Sequence, residues 1–343
     1  MLDTLQKARL VRFGLLGAAV LGVAVGALSS QLVTRAQEAE PQNFTVMAGG
    51  FGPNNIEVLA FAPQSLQVHR GDTVTWVNNG FHNIHFNNEP LPLVIVPEGE
   101  GEPIPQINPA IAFPSIESGA TYQGGEANSG LPLPGVSPIF SLVMDLEPGT
   151  YSFLCDVHPG MAGVINVVAS DVSIPSPQEV SMQAASELGA TVGASIGATM
   201  ELEAQTFTDE SIYSGQINMG SANTGRATIN QFFPFVTVIQ AGESVTWNNL
   251  EGGVEPHLVG WPPVRGQDVS PIEVEGGPPI LAVGPTLAPM TPDGASIAAG
   301  EAFNSGLIFP GQSYTLTFTE PGVYPFTCNI HPAMNGTVIV EAA

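Results

Sequence analysis

Glu147-Pro-Gly-Thr-Tyr-Ser-Phe-Leu-Cys155-Asp-Val-His158-Pro-Gly-Met161 and Glu320-Pro-Gly-Val-Tyr-Pro-Phe-Thr-Cys328-Asn-Ile-His331-Pro-Ala-Met334 are two versions of one stretch, 173 residues apart. Each leaves a Pro-Gly turn, runs through a strand-like alternation and ends in Cys-x-x-His-x-x-Met. Upstream, Phe61-Ala-Pro-Gln-Ser-Leu-Gln-Val-His-Arg-Gly-Asp-Thr-Val-Thr-Trp76 aligns without a gap with Phe232-Phe-Pro-Phe-Val-Thr-Val-Ile-Gln-Ala-Gly-Glu-Ser-Val-Thr-Trp247, at an offset of 171. Gly125-Glu-Ala-Asn-Ser-Gly-Leu131 echoes Gly300-Glu-Ala-Phe-Asn-Ser-Gly-Leu307. Offsets that drift by a few residues describe a duplicated domain with loop insertions.

The repeated unit reads as β-structure. Ser65–His69 and Asp72–Trp76 alternate apolar with polar residues around the Arg70-Gly71 turn, and Thr315–Thr319 and Val323–Thr327 flank Glu320-Pro-Gly322 in the same way. Gly and Pro make up 39 and 31 of the 343 residues, which favours short strands and turns over long helices. Strands at this spacing predict an all-β sandwich or barrel in each repeat. Two Pro/Gly-rich stretches of nearly 40 residues, Asn87–Gln123 and Trp261–Ala298, are expected to be functional covers or disordered loops. The reading divides the chain into a first domain over 41–170, a linker over 171–195 and a second domain over 196–343. Ser176-Pro-Gln-Glu179 has the form of a capping box, so the linker is expected to hold a short helix, weakened by Gly189, Gly193 and Gly197.

Charge is distributed unevenly. Lys+Arg number 7 against 31 Asp+Glu, for a net charge of −24, and Lys7, Arg9, Arg12 and Arg35 all flank an uncharged run from Phe13 to Val33. That order of basic and apolar regions predicts an export segment over 1–36, either a signal cleaved after Thr34-Arg35-Ala36 or an uncleaved membrane anchor. Either way, residues 41–343 are exported to the periplasmic or extracellular side of the membrane. Beyond Glu40 only Arg70, Arg226 and Arg265 are basic, so phosphates cannot be neutralised and nucleic-acid binding is excluded.

The six histidines and two cysteines carry the chemistry. Some 70 residues before each Cys lies a further His: His82 in Gly-Phe-His-Asn-Ile and His257 in Glu-Pro-His-Leu-Val. The candidate sets are His82, Cys155, His158 and Met161, and His257, Cys328, His331 and Met334. Two imidazoles, a thiolate and a weak axial thioether are the donors of a mononuclear blue-copper centre. A lone Cys or Met is ordinary core filling, but one four-residue set occurring twice in register is not a chance spacing. A disulfide between Cys155 and Cys328 would need two homologous sites to face each other at bonding distance, and is not expected.

The segments Gly71-Asp-Thr-Val-Thr-Trp-Val-Asn-Asn79 and Tyr324-Pro-Phe-Thr-Cys328-Asn-Ile-His331-Pro-Ala-Met334-Asn-Gly336 resemble the plastocyanin/azurin (cupredoxin) family, and the short ligand loop is similar to that of amicyanin. The resemblance covers about 44–170 and 200–343. It implies two Greek-key β-sandwiches in tandem, a type 1 copper ion in each, and single-electron carriage between a redox donor and acceptor. It also implies that His158 and His331 present their ring edges to solvent, and that an Asn after the first His steadies the ligand loop. Asn83 keeps that pattern and Leu258 departs from it, with Asn329 as the candidate substitute.

Other readings are weaker. His85 points opposite His82 on a strand and aligns with Gly260, and His69 aligns with Gln240, so neither is taken as a ligand. With only those two histidines left over, a trinuclear or type 2 copper site lacks donors, which argues against a copper oxidoreductase. A copper storage or delivery protein is the remaining alternative, but no Met- or His-rich tract offers a transfer chain. The acidity of the exported region is suited to a partner with a basic docking patch.

Overall fold

The computed structural model describes residues 40–86, 89–97, 104–221, 226–250, 254–264 and 266–343. The expected export segment lies outside them. No helix among the described residues is long and apolar enough to cross a membrane.

Alternating burial along the strands builds two sandwiches that share one sheet. Thr73–Asn78 and Ser244–Asn249 put Val74 and Trp76, and Val245 and Trp247, into separate cores while their polar neighbours face outward. The shared sheet has ten strands in a mirrored order. Ala295–Ile297, Ser313–Phe318, Ser244–Asn249, Gln216–Ser221 and Ala227–Phe233 come from the second repeat; Ile56–Ala62, Asn43–Phe51, Thr73–Asn78, Ile139–Met144 and Ala120–Tyr122 from the first. Each half is faced by a five-stranded sheet from its own repeat: Ser65–His69, Ala162–Val168, Gly149–Leu154, His85–Phe86 and Ala127–Asn128 in the first, and their counterparts in the second. Phe61, Trp76 and Phe153 meet edge to face in one core, as do Phe232, Trp247 and Phe326 in the other. The chain is thus mostly β, as the repeat reading expects.

The seam at the centre of the ten-stranded sheet is antiparallel, with Ile56, Glu57 and Val58 opposite Ile229, Thr228 and Ala227. Leu59 N donates to Arg226 O at 2.8 Å and Asn230 N to Asn55 O at 2.9 Å. These two bonds exchange repeat-equivalent positions, so the seam has the local two-fold character of an isologous dimer contact.

Between the repeats the structure departs from the sequence reading. The helix is 30 residues long, Pro177–Thr206, and extends beyond the segment assigned to the linker. Its capping box forms, with Glu179 N donating to Ser176 Oγ and Ser176 N to the Glu179 carboxylate. Gly189, Gly193 and Gly197 have open space where a side chain would stand. Tertiary packing outweighs their low propensity: Ile196, Ala198 and Leu202 lie on Ile56, Ala227, Ile229 and Phe233, capping the seam.

The two Pro/Gly-rich stretches also gain structure. Val94–Ile95 and Gln106–Ile107 from the first join Val269–Ile272 and Ile280–Val283 from the second in a four-stranded sheet, with Ala282 opposite Gln106. Ile107, Ile111, Leu131 and Leu281 form an apolar cluster beneath it, against which Val157 packs.

Candidate metal centres

In both repeats the first His hangs from a loop after the Trp strand, and Cys, second His and Met share the loop between the last two strands. Cys155 N donates to Met161 O at 2.9 Å and Met161 N to His158 O at 3.1 Å; Cys328, His331 and Met334 repeat these bonds at 2.9 and 3.3 Å. The tight loop needs a left-handed residue before Met, supplied by Gly160 at φ +84° and by Ala333 at φ +67°. Cys155 and Met161 are buried in the first core, Cys328 and Met334 in the second, and no disulfide joins the cysteines.

The side chains of His82, Cys155 and His158 converge, as do those of His257, Cys328 and His331. His82 Nδ1 faces His158 Nδ1 at 2.8 Å, with Cys155 Sγ 3.9 and 3.6 Å from them. His257 Nδ1 faces His331 Nδ1 at 3.0 Å, with Cys328 Sγ 3.5 Å from His331 Nδ1. Without a metal, one ring's Nδ1–H can donate to the bare Nδ1 of the other; once that proton leaves, both Nδ1 lone pairs and the buried sulfur aim at one point. A soft cation bound by all three atoms takes the place of that shared proton, so the residues fit copper. Electrostatics agree. Burial pushes His82 down to about 3, leaving a neutral imidazole. Burial alone would raise the Cys328 thiol, but His331 and His257 hold it well below its usual range.

A strand irregularity seats the first histidines. The register shifts between Ala48 and Gly50 and between Met219 and Ser221, and at these bulges Gly49 and Gly220 adopt φ +75° and +64°. A Cβ would lie 2.2 Å from His82 Nε2 at Gly49, and 2.3 Å from His257 Nε2 at Gly220. In the sequence these positions show as a glycine inside a strand, Gly49 after Val46-Met47-Ala48 and Gly220 after Ile217-Asn218-Met219, a signal that strand alternation alone does not read.

The surroundings of the two sites differ. Asn83 Oδ1 accepts from Asp156 N (2.8 Å), while its amide donates to Asp156 Oδ2 (2.7 Å) and Asn128 Oδ1 (2.9 Å), tying the first-His loop to the Cys loop. Asp156 also accepts from Leu91 N at 2.8 Å and meets buried His85 Nδ1 at 2.9 Å. His85 therefore lies in the support of this loop and outside both donor groups. His69 Nε2 donates to the Val172 carbonyl at 2.9 Å, well away from either site. In the second repeat Leu258 is buried where Asn83 stood, and Asn329 Oδ1 accepts from Val264 N at 3.1 Å. Gly260, in the place of His85, leaves room for the Asn329 amide.

One expectation is overturned. His158 and His331 do not present their ring edges to solvent; they are only 4% and 8% exposed. Both outer nitrogens face Glu255, with His158 Nε2 at 3.1 Å from Oε1 and His331 Nε2 at 3.6 Å from Oε2. The cause is the duplication itself, which packs the two ligand loops toward each other.

A sequence-family model of copper binding proteins, the plastocyanin/azurin family, matches residues 52–168 and 221–341. The chain belongs to that family. It is 34% identical over 113 residues to a plastocyanin from Scenedesmus fuscus, covering 32% of this chain and 87% of that protein. It is 32% identical over 108 residues to an amicyanin from Paracoccus versutus, covering 32% of this chain and 55% of the relative. Among solved structures, the crystal structure of amicyanin from Paracoccus versutus is matched at 26% identity over 37% of this chain and 79% of that one, with a TM-score of 0.22. Each match spans about one repeat. The two regions matched by the family model fall one in each repeat, so the fold is two cupredoxin domains in tandem.

Proposed function

We propose that this protein is an exported electron carrier holding two type 1 copper ions, one in each domain. His82, Cys155, His158 and Met161 would hold the first, and His257, Cys328, His331 and Met334 the second. The observation that carries this reading is the pair of buried groups in which two imidazole Nδ1 atoms and a cysteine sulfur converge. When bound, copper supplies a one-electron Cu(I)/Cu(II) couple, with sulfur favouring the reduced ion and imidazole suiting both. The chain's own contribution is rigidity. Three donors sit on one hydrogen-bonded loop and the fourth is clamped against a glycine bulge, so the donor positions need not change with oxidation state.

The remaining histidines support a carrier over an enzyme, since His85 is engaged by Asp156 and His69 by Val172. The proposal includes export by residues 1–36, as cleaved signal or anchor, domains over 41–170 and 196–343, and redox proteins as donor and acceptor. Copper content and the visible spectrum test it. Two copper ions per chain and an intense thiolate-to-Cu(II) band are expected, with one ion and about half the band left in Cys155→Ser or Cys328→Ser. A single ion per chain, or no thiolate band, overturns it.

A further inference from the structure

Glu255 has no acidic counterpart in the first repeat: counted back from the first His of each site, its place is held by Gly80. It is 8% exposed, and its backbone carbonyl accepts from the buried Asn249 amide at 2.9 Å. Its carboxylate lies between His158 of one domain and His331 of the other, an oxygen toward each outer nitrogen at 3.1 and 3.6 Å. Each of those rings turns its other nitrogen to its own donor group. A neutral imidazole that ligates through Nδ1 carries its proton on Nε2 and orients by giving it to a carboxylate. Here one carboxylate is placed to serve two centres. His158 Nε2 lies 3.1 Å from Oε1, a buried oxygen with no other hydrogen-bond partner among the described residues.

We propose that Glu255 joins the two copper centres into one redox unit, with the His158–Glu255–His331 bridge carrying an electron between the domains. This rests on the copper-carrier reading above. The step is a simple exchange: Cu(I) in one domain becomes Cu(II) as Cu(II) in the other becomes Cu(I), and the two Nε2 protons stay on their rings. No further reactant is required. The bridge replaces the solvent-facing ring edges that this chain buries, and it places both ligand loops within reach of one side chain.

Replacement by Gln is the sharpest test, because its amide has one acceptor oxygen and can serve only one ring. The experiment uses the whole copper-loaded chain in a Met161→Gln background, whose altered axial ligand separates the two visible bands. Less than one reducing equivalent per chain is injected by flash reduction, and both bands are followed. The expected result is a first-order redistribution independent of protein concentration, slowed roughly 10- to 100-fold in Glu255→Gln and Glu255→Leu. In the diamagnetic Cu(I) protein, two slowly exchanging imidazole N–H signals are expected, one of which is lost in Glu255→Gln. Equal rates with and without Glu255, a redistribution that scales with protein concentration, or absence of both protected signals overturns the bridge. In each of those cases two bound copper ions and intact thiolate bands leave the carrier reading standing. A chain that takes up no copper overturns both.

Discussion

Glu57 and Thr228 pair with each other across the seam between the domains, although they hold the same place in the two repeats. Such self-pairing requires an antiparallel edge and a local two-fold, and it makes the ten-stranded sheet continuous through both sandwiches. It also buries Ile56 and Ile229 beneath the helix that links the repeats.

The seam predicts cooperative unfolding. Ile56→Ala or Ile229→Ala removes a fully packed side chain from both the sheet and the helix, at a cost of about 2–4 kcal/mol. Denaturant or thermal unfolding of the metal-free protein is expected to show one transition, shifted downward in each variant. Two well-separated transitions would mean that the seam does not couple the domains.

The glycine bulges predict a local loss. Gly220→Ala forces a positive φ on a residue with a Cβ and drives that Cβ into the His257 ring, a cost of at least about 2 kcal/mol. The expected result is weakened or distorted copper binding in the second domain, with the first unchanged, read from copper stoichiometry and the two visible bands. Gly49→Ala should do the reverse through His82. If either variant keeps both bands unaltered, the bulge does not hold the ring.

The parts of the molecule that were legible in the sequence are those encoded locally. Strand alternation around Val74 and Trp76, the Pro-Gly turns and Cys-x-x-His-x-x-Met each lie within about ten residues, and duplication displays them twice. Glu255 was not legible, because one carboxylate in a loop carries no pattern and its partners, His158 and His331, reach it only through tertiary packing. The solvent-facing rings expected from single-domain relatives failed for the same reason: no single repeat contains the other ligand loop. The length of the helix was hidden because three glycines argue against it locally, while the seam it covers is formed by strands from both repeats.

The unequal surroundings predict unequal potentials. Asn83 holds Asp156 by two hydrogen bonds and Asn128 by a third, whereas the apolar Leu258 side chain can form none. Asn83→Leu leaves the buried Asp156 amide and carboxylate short of partners, at about 1–3 kcal/mol for each group lost. Voltammetry of the wild type should resolve two couples, and Asn83→Leu should move one of them while leaving the other in place. Superimposed couples that move together would count against the asymmetry.

Copper uptake should release protons. Burial pulls the His158 and His331 imidazoles down, but the neighbouring cysteine sulfur and Glu255 more than reverse this, to about 10 in each case. A protonated Nδ1 cannot ligate, so copper displaces one proton from each ring while Nε2 keeps its own. Because the metal-free protein binds these protons below about pH 10, apparent copper affinity rises with pH toward that value and falls toward acid. Calorimetric titration of the metal-free protein at pH 8, in two buffers with different ionisation heats, checks the release. Uptake heats that are identical in the two buffers would remove it.

The charge makes the last prediction. Beyond Glu40 three arginines face 28 carboxylates, and Arg70 is already held by Asp145 and Glu147 at 2.6 Å each. Little positive surface is left to oppose attraction to a cation, and screening over about 8–10 Å at ordinary salt removes much of it. A cationic redox reagent or a basic protein donor should therefore react fastest at low ionic strength and slow as salt is added. An anionic reagent of similar driving force should accelerate instead, since salt relieves its repulsion. Stopped-flow rates measured for the pair across the same salt series decide the matter: opposite slopes show that the acidic surface steers its partner, and two flat profiles show that it serves solubility alone.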